Sequence, residues 1–593
     1  MRKQTFIPVF FALLLCWSGL RGQQRISDAR ELAALQATPL EAVYLHLSST
    51  TLFPGEYLYY SLYTINTRTY RLSDISKVAY VQLVGANGTV YHTRKILLTG
   101  GRGQGDFFFE TNLPSGAYKL IAFTHWMKNA GVAQFFIADL TVLNPYLGEA
   151  SALTAGTHPP VAPPGDAESS SAQAILASAG LALETDQAVY GPGEQVRLDL
   201  RNYKGTLGHG SYSLSVARVE EVPELPALTS EGFAATYPQK LRQIPQEVDD
   251  TFWAPEQRGA LITGRVVGSP GGSPAAGRTV AISLPGENFQ LLPAETNSEG
   301  RFFAYLNAPY TRETGFAELL DGPAGSYEFR MDDLATWEGS LGDFRNIRID
   351  TSLADAITRR SVHNQIENSY YLVKPDTVTA PQPEESYFGH FPKTYDLDQY
   401  TRFPTFRETL LEVVENVFMR READEKYTLR VRVPLQPGQE FFTDDPPLVI
   451  VDGILVPDHT TLLNLDANRI RTIRVIQENI FWGGIKYQGM VAVETLDGDF
   501  GDSWQSEAGT RFTFRRAEAP KKYYRQPLAG ADPHIPDFRH QLLWEPDLRL
   551  EGAVLELPFV TSQVPGRYRI CLEGFTTYGK PISLSGTFVV EGE

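Results

Sequence analysis

Ten histidines, three pairs of adjacent aspartates, a tyrosine cluster and two cysteines are the residues of this 593-residue chain with the most chemical potential. His46, His92, His125, His158, His209, His363, His390, His459, His534 and His540 are scattered. They form no His-Glu-x-x-His signature and no other close zinc spacing. His534 and His540 lie six apart in loop-like sequence and read as surface histidines. No Gly-x-Ser-x-Gly elbow occurs. The cluster Gly100-Gly101-Arg102-Gly103 lies between strand-like segments instead of opening a helix, which argues against a phosphate cradle. Asp249-Asp250, Asp332-Asp333 and Asp444-Asp445 offer the oxygen ligands calcium favours, but none has the spacing of a calcium loop, so solvated acidic turns are the better reading. Trp126 and the Tyr57-Tyr59-Tyr60 cluster are candidates for a binding surface, against the plainer role of sheet core and sheet face. No catalytic, cofactor-binding or metal-binding residue is assigned on this basis, and binding residues are not identified.

The elements that would position these residues are mostly strands. The stretch 40 to 145 alternates in short runs: Val43 to Leu47, Tyr57 to Ile65, Val78 to Val84, Thr89 to Leu98, Asp106 to Glu110 and Ala117 to Thr124. Turn signals separate them, among them Asn87-Gly88, expected to supply two positive-φ hairpin positions, and Leu113-Pro114-Ser115-Gly116. An Ala/Pro/Ser-rich linker follows over 147–178. Ala188-Val189-Tyr190-Gly191-Pro192-Gly193-Glu194 then repeats the strand, Pro-Gly-Glu turn and strand pattern of Leu52 to Tyr57, which predicts a second copy of the same sandwich. A third strand-rich unit begins at Leu261, with Ile262 to Val267, Arg278 to Leu284 and an Asn297-Ser298-Glu299-Gly300 turn. Residues 351–395 are polar and proline-containing and are expected to be an extended connector. Phe406, Leu410, Leu411, Val414, Val417 and Phe418 recur at helical spacing; Tyr427 to Val433, Leu448 to Val451, Ile470 to Ile476 and Met490 to Thr495 read as strands. The final residues return to strands at Val554 to Val560, Arg567 to Glu573 and Ile582 to Val590.

The chain opens with Arg2 and Lys3, an uncharged apolar run from Phe6 to Trp17, and small residues to Gly22. This reads as a signal peptide cleaved after Gly22. Cys16 stands near a lipoprotein acylation position, but the bulky Leu15 before it favours a cysteine lost on cleavage. Cys571 then has no disulfide partner, and each exported domain must rely on its own core. No later segment is long and apolar enough for a membrane helix. The formal net charge of −17 argues against nucleic acid and anionic lipid as partners. Tyr 28, Phe 33, Gly 50 and Pro 39 suit twisted sheets joined by tight turns.

Several of these segments resemble known families. Val43-Tyr44-Leu45-His46-Leu47, Phe53-Pro54-Gly55-Glu56, Leu113 to Tyr118 and Ala122-Phe123-Thr124-His125-Trp126-Met127-Lys128-Asn129 resemble the macroglobulin-type (MG2-like) domain of bacterial envelope proteins. The unit from Leu261 is similar to a carboxypeptidase regulatory-like, transthyretin-like sandwich. Pro447 to Gly453, Leu465-Asp466, Ile470 to Val475, Gly483-Gly484 and Tyr487 to Thr495 resemble the plug of TonB-dependent outer-membrane receptors. Ile535 to Arg539 with Leu543-Trp544-Glu545-Pro546 again resembles macroglobulin-type sandwiches. Macroglobulins that trap proteases carry a Cys-Gly-Glu-Gln thioester; here Pro192 precedes Gly193-Glu194-Gln195, so the sulfur is missing and a turn is expected. The residues after the plug-like unit are too few for a receptor barrel, which excludes transport by this chain alone.

The resemblances imply a mainly β chain: immunoglobulin-like or macroglobulin-like sandwiches in tandem plus one α+β plug-like domain. The expected boundaries are 1–22 signal peptide, 40–146 macroglobulin-like sandwich, 147–178 linker, 179–257 second macroglobulin-like sandwich, 258–350 regulatory-like sandwich, 351–395 connector, 396–503 plug-like domain and 504–593 C-terminal sandwich. The implied function is a non-catalytic exported protein of the periplasm or outer membrane, binding or scaffolding another envelope protein or a polymer. An accessory subunit docking on a separate barrel is the alternative, and a hydrolase the remote one. Ligand, partner identity and oligomeric state are not readable from the residues.

Overall fold

A computed structural model describes residues 37–147, 175–178, 180–237, 253–286, 289–306, 310, 312–322, 325–379, 391–422, 426–436, 439–441, 445–530, 532 and 534–592. The signal-peptide region and most of the 147–178 linker lie outside them.

The first sandwich packs a three-stranded sheet, in the order Glu41–Leu47, Tyr57–Asn66, Arg102–Phe108, against a five-stranded one. The second sheet runs Thr51–Leu52, Phe136–Val142, Gly116–Phe123, Val78–Gly85, Val90–Leu97. One strand in each sheet departs from the half-buried alternation of an exposed sheet. Glu41–Leu47 and Val78–Gly85 are buried along both faces. One face of each fills the sandwich core, and the other meets a neighbouring sandwich. Between the last two strands, the hairpin loop differs from the expected two-residue form. Gly88 alone takes a positive φ, +79°; Gly85 N–H donates to Thr89 O (2.9 Å) and Asn87 Oδ1 accepts from Thr89 N–H (3.0 Å). The loop is therefore longer, with one left-handed residue.

The second sandwich follows the same path. Its sheets run Val554–Glu556, Leu198–Asn202, Leu181–Thr185, Ile175–Ser178 and Val189–Tyr190, Pro581–Val590, Gly566–Thr576, Gly210–Arg218, Gln541–Leu550. Apart from the added edge strand Ile175–Ser178, this is the strand order of the first sandwich. Even the short parallel pairing that precedes each Pro-Gly-Glu turn recurs: Thr51 pairs with Thr141, and Val189 with Val589. The expected domains at 179–257 and 504–593 are corrected accordingly. They are the two parts of one sandwich sharing one core, with Leu183, Leu200, Leu214 and Val216 packed with Leu543, Ile570, Leu572 and Phe588. The break falls between the fourth and fifth strands, where the first sandwich has its Asn87-Gly88 hairpin. Everything from 219 to 540 is inserted at that loop.

The insert carries two further units. In the third sandwich, Arg301–Leu306, Ala260–Gly268 and Tyr327–Met331 face Gln290–Glu295, Thr279–Leu284, Thr314–Leu319 and Gly509–Thr513. Gly509–Thr513, expected in the C-terminal sandwich, instead completes this one by pairing with Thr314–Leu319. The α+β unit holds a sheet ordered Lys393–Asp396, Ile470–Trp482, Ile485–Thr495, Leu448–Val451, Ile454–Leu455. Leu448–Val451 runs parallel to Ile485–Thr495. The two long strands extend past the expected Ile476 and Met490 because Gly483 and Gly484, at φ +61° and +78°, close them into one hairpin. The helix expected through Phe418 covers only Phe406–Glu412, opened by a Thr405/Glu408 capping box. Asn416, at φ +66°, turns the chain, so Val417 and Phe418 begin a strand paired with Tyr427–Val431.

The segment expected as an extended connector contains a 16-residue helix, Ala354–Ser369. Asp350 caps the turn before it by accepting from Ser352 N–H (2.7 Å). Its buried positions are Ala356, Arg360, Ser361 and Asn364, so it shows almost no apolar stripe. Among the described residues, no helix is long and apolar enough to cross a membrane.

Candidate functional site

Most of the potentially reactive side chains are spent at the seams between units. Between the first two sandwiches, Ser213 Oγ lies 2.7 Å from His46 Nδ1 and accepts from Tyr63 Oη (2.9 Å). Nearby, Glu573 accepts from Tyr44 Oη (3.2 Å), Ser230 N–H (2.7 Å) and Ser583 Oγ (2.5 Å). His46 and Ser213 are buried, and burial lowers the imidazole pKa to about 3. A serine beside a histidine suggests a nucleophile and base, yet both side chains are buried between the two sandwiches, where they form an interface hydrogen bond. His125 donates from Nδ1 to Ala254 O (2.9 Å), and His459 Nδ1 accepts from Leu429 N–H (3.0 Å). Burial lowers these two to about 3 and about 4. His540 is also held well below the usual histidine range, first by burial and then by Arg360, Arg218 and Arg569. His534 is exposed, as expected of it.

The other sequence candidates divide similarly. Trp126 is fully buried and donates from Nε1 to Pro39 O (3.0 Å), so it belongs to the core. Tyr60 is buried too. Tyr57 and Tyr59 stack at 5.8 Å and line a small cavity of about 150 Å³ with Tyr371, Tyr524 and the helix residues Arg360 and Asn364. Gly100 and Gly101 form a tight turn at φ +58° and +76° between strands. Asp445 pairs with Lys486 (2.7 Å). Asp249, Asp250 and Asp444 lie outside the described residues. Asp332 and Asp333 do reach a cavity, described below. Among the described residues, no group of three His, Cys, Asp or Glu side chains is placed to hold a metal ion.

Sequence reasoning missed the helix 354–369 as a clamp. Glu56, in the first Pro-Gly-Glu turn, accepts from Phe53 N–H (2.9 Å), Arg360 Nε (2.7 Å) and Nη2 (2.9 Å), and Asn364 Nδ2 (2.8 Å). Asn368 Nδ2 donates to Gly55 O (2.9 Å), and Arg360 also lies over the Phe53 ring, 4.6 Å from its centroid. At the other end, Glu367 accepts from Lys374 Nζ (2.7 Å) and Phe538 N–H (2.6 Å), while His363 stacks on Phe538 at 4.8 Å. One helix thus ties the first sandwich to the second.

A larger cavity, about 420 Å³, opens between the first and third sandwiches. Tyr80 and Lys95 form one wall, Leu261 to Thr263 another, and Met331 to Ala335 with Phe512 to Arg515 complete it. Lys95 is 5% exposed. Its Nζ lies 3.7 Å from Glu256 Oε1 and 3.5 Å from Leu261 O. Glu256, fully buried, accepts from Tyr80 Oη (3.1 Å) and Leu261 N–H (2.8 Å). Burial lowers the Lys95 pKa and raises that of Glu256, and their mutual attraction opposes both shifts. Asp332, Asp333, Glu313 and Arg515 are exposed at the rim. Asp332 is already paired with Arg301 (2.9 Å). No spacing or local pattern around Lys95 marks it in the sequence; it sits in an ordinary strand, and its importance comes from the sandwich packed against it.

These sheets define the class of the protein: a mainly β chain of β-sandwiches with one α+β unit, the second sandwich interrupted by an insert. Comparison with solved structures finds bacterial alpha-2-macroglobulins. The Salmonella protein reacted with methylamine matches at 9% identity and TM-score 0.23, covering 93% of this chain and 39% of that one. The trypsin-activated protein from Escherichia coli matches at 10% identity and TM-score 0.23, covering 93% and 41%. The chain thus spans about two fifths of the length of these macroglobulins. The Escherichia coli adhesin FdeC matches at 11% identity and TM-score 0.14, over 44% of this chain and 63% of that one. No family model and no curated protein matches the chain.

Proposed function

We propose that this chain is an exported, non-catalytic protein of the bacterial envelope that acts as a binding scaffold for another envelope protein or a polymer. One observation carries the reading: a whole sandwich and an α+β unit are inserted at the hairpin of a second sandwich, and buried polar contacts fix the second and third sandwiches to the first. Tyr44 and His46 bind the second sandwich, Gln82 Nε2 donates to Ala335 O beyond the third (2.9 Å), and Arg360 clamps Glu56. Such a frame supports presentation of fixed surfaces, and it uses its histidines and buried carboxylates structurally. Export is supported by the charged, apolar and small-residue order of the first 22 residues. Edge strands of several sheets are natural sites for strand addition by a partner.

The resemblance of 396–503 to a receptor plug supports a second reading, docking on a separately encoded barrel. Its long hairpin carries an exposed aromatic, Phe481, beside the Gly483-Gly484 turn. Affinity capture of the full chain from native, detergent-solubilised envelope, followed by mass spectrometry, tests both. Recovery of a non-barrel envelope protein or a polymer supports the scaffold, and stoichiometric recovery of a barrel supports docking. Recovery of neither, with hydrolase activity in the purified chain, overturns both.

A further inference from the structure

We infer that the cavity between the first and third sandwiches is a binding site for a small ligand carrying one carboxylate and one separate cationic group, such as the C-terminal residue of a basic peptide. The inference does not depend on which partner the scaffold assembles with.

The floor supplies half of the recognition. Lys95 Nζ has three protons, yet its closest oxygens stand at 3.5 and 3.7 Å, beyond the length of a strong charge-assisted bond, roughly 2.7–2.9 Å. Glu256, its buried ion-pair partner, also accepts from Tyr80 Oη and the Leu261 amide, so the pair with Lys95 is long and leaves the ammonium room for a further acceptor. A buried ammonium so weakly bonded beside a cavity of about 420 Å³ favours an anionic oxygen entering that space. Leu261, Ile262, Met331 and Phe512 supply apolar contact for the rest of such a ligand.

The rim supplies the other half. Asp333 and Glu313 are exposed at the mouth beside Arg515, and Asp333 Oδ1 accepts from the Ala335 amide (3.1 Å). These carboxylates disfavour a purely anionic ligand and attract a cation held outside the floor. A ligand with a single charge would satisfy one end and be repelled at the other. One whose carboxylate reaches Lys95 while an ammonium or guanidinium stays near Asp333 satisfies both. The walls come from different units, and Phe512 to Arg515 follow the strand that completes the third sandwich, so the site exists only once that sandwich is closed against the first.

Calorimetry on the full chain with three probes tests this: N-acetyl-alanyl-lysine, the same peptide as its C-terminal amide, and N-acetyl-alanyl-norleucine. The first is expected to bind, with affinity at least tenfold above the other two. Lys95→Met should remove binding. Because that variant leaves Glu256 unpaired and could unfold, Asp333→Asn, at an exposed position, serves as the second variant. It should fold normally by near-ultraviolet circular dichroism and bind the lysine peptide several-fold more weakly, while leaving the norleucine peptide unaffected. Equal affinity for all three probes, no binding at millimolar concentration, or undiminished binding by folded Asp333→Asn overturns the inference.

Discussion

At the scale of single residues, buried titratable groups act on stability in opposite directions. Glu318, buried beside the strand returning from the α+β unit, accepts from Ser506 Oγ (2.6 Å), and burial raises its pKa to about 7. Its folded state favours the neutral acid. That contribution is complete below about pH 4.5, the unfolded value, and is lost as pH rises through 7; it is worth on the order of 3 kcal/mol. Glu318→Gln should therefore raise the melting temperature at pH 8 and flatten the decline between pH 5 and 8, seen in melts across that range. An unchanged pH profile would sink this assignment. The histidines work the other way. His46, His125 and His459 must stay neutral, with folded pKa values of about 3, 3 and 4 against 6.5 unfolded. The unfolded chain binds more protons below pH 6.5, so each histidine removes about 1.4 kcal/mol per pH unit as pH falls toward its folded value. Unfolding in urea at pH 5 should thus need markedly less denaturant than at pH 7, and His459→Asn should reduce that difference. None of this was legible in the sequence, where the same histidines read as scattered and unremarked; their roles come from units that pack on them from distant parts of the chain.

At the scale of elements, the repeated Pro-Gly-Glu turn offers an internal comparison. Both copies place a left-handed glycine, Gly55 at φ +89° and Gly193 at +70°, and both glutamates accept the amide three residues back. Only Glu56 also holds a buried arginine. Glu194→Gln should accordingly cost about 1 kcal/mol, the loss of one charged acceptor at a half-exposed turn. Arg360→Met, which strands Glu56 without its partner, should cost about 3–5 kcal/mol and raise amide exchange throughout 354–369. Similar losses for the two variants, by denaturant midpoint, would show that the helix does not clamp the turn. The turn itself was legible, because proline, glycine and glutamate each have a local conformational reason to be there. The helix was not: its buried face is Ala356, Arg360, Ser361 and Asn364, and an apolar period of 3.6 is absent when a helix docks through polar groups. The α+β helix failed differently, since Val417 and Phe418 continue the helical spacing but Asn416 turns the chain first.

At the scale of the whole molecule, individual strands were largely readable from alternation and turns, whereas their grouping was not. Strand pairing leaves no local mark of which partner lies across it, so Gly210–Arg218 and Gln541–Leu550 looked like members of separate domains. The shared core predicts a specific failure. Deleting 541–593 should abolish hydrogen-exchange protection in Leu181–Thr185 and Gly210–Arg218 as well, although they precede the deletion by hundreds of residues; retained protection there would contradict a single sandwich. The same insertion also orders events in time. A ribosome delivers Leu198, Leu200, Leu214 and Val216 long before Leu543, Ile570 and Phe588, the residues that cover them. All strands of the inserted units are made before residue 541, while their host must wait with open strand edges and exposed apolar faces. Guest therefore folds before host, and the slow step of maturation is the closing of a sandwich whose second half arrives last.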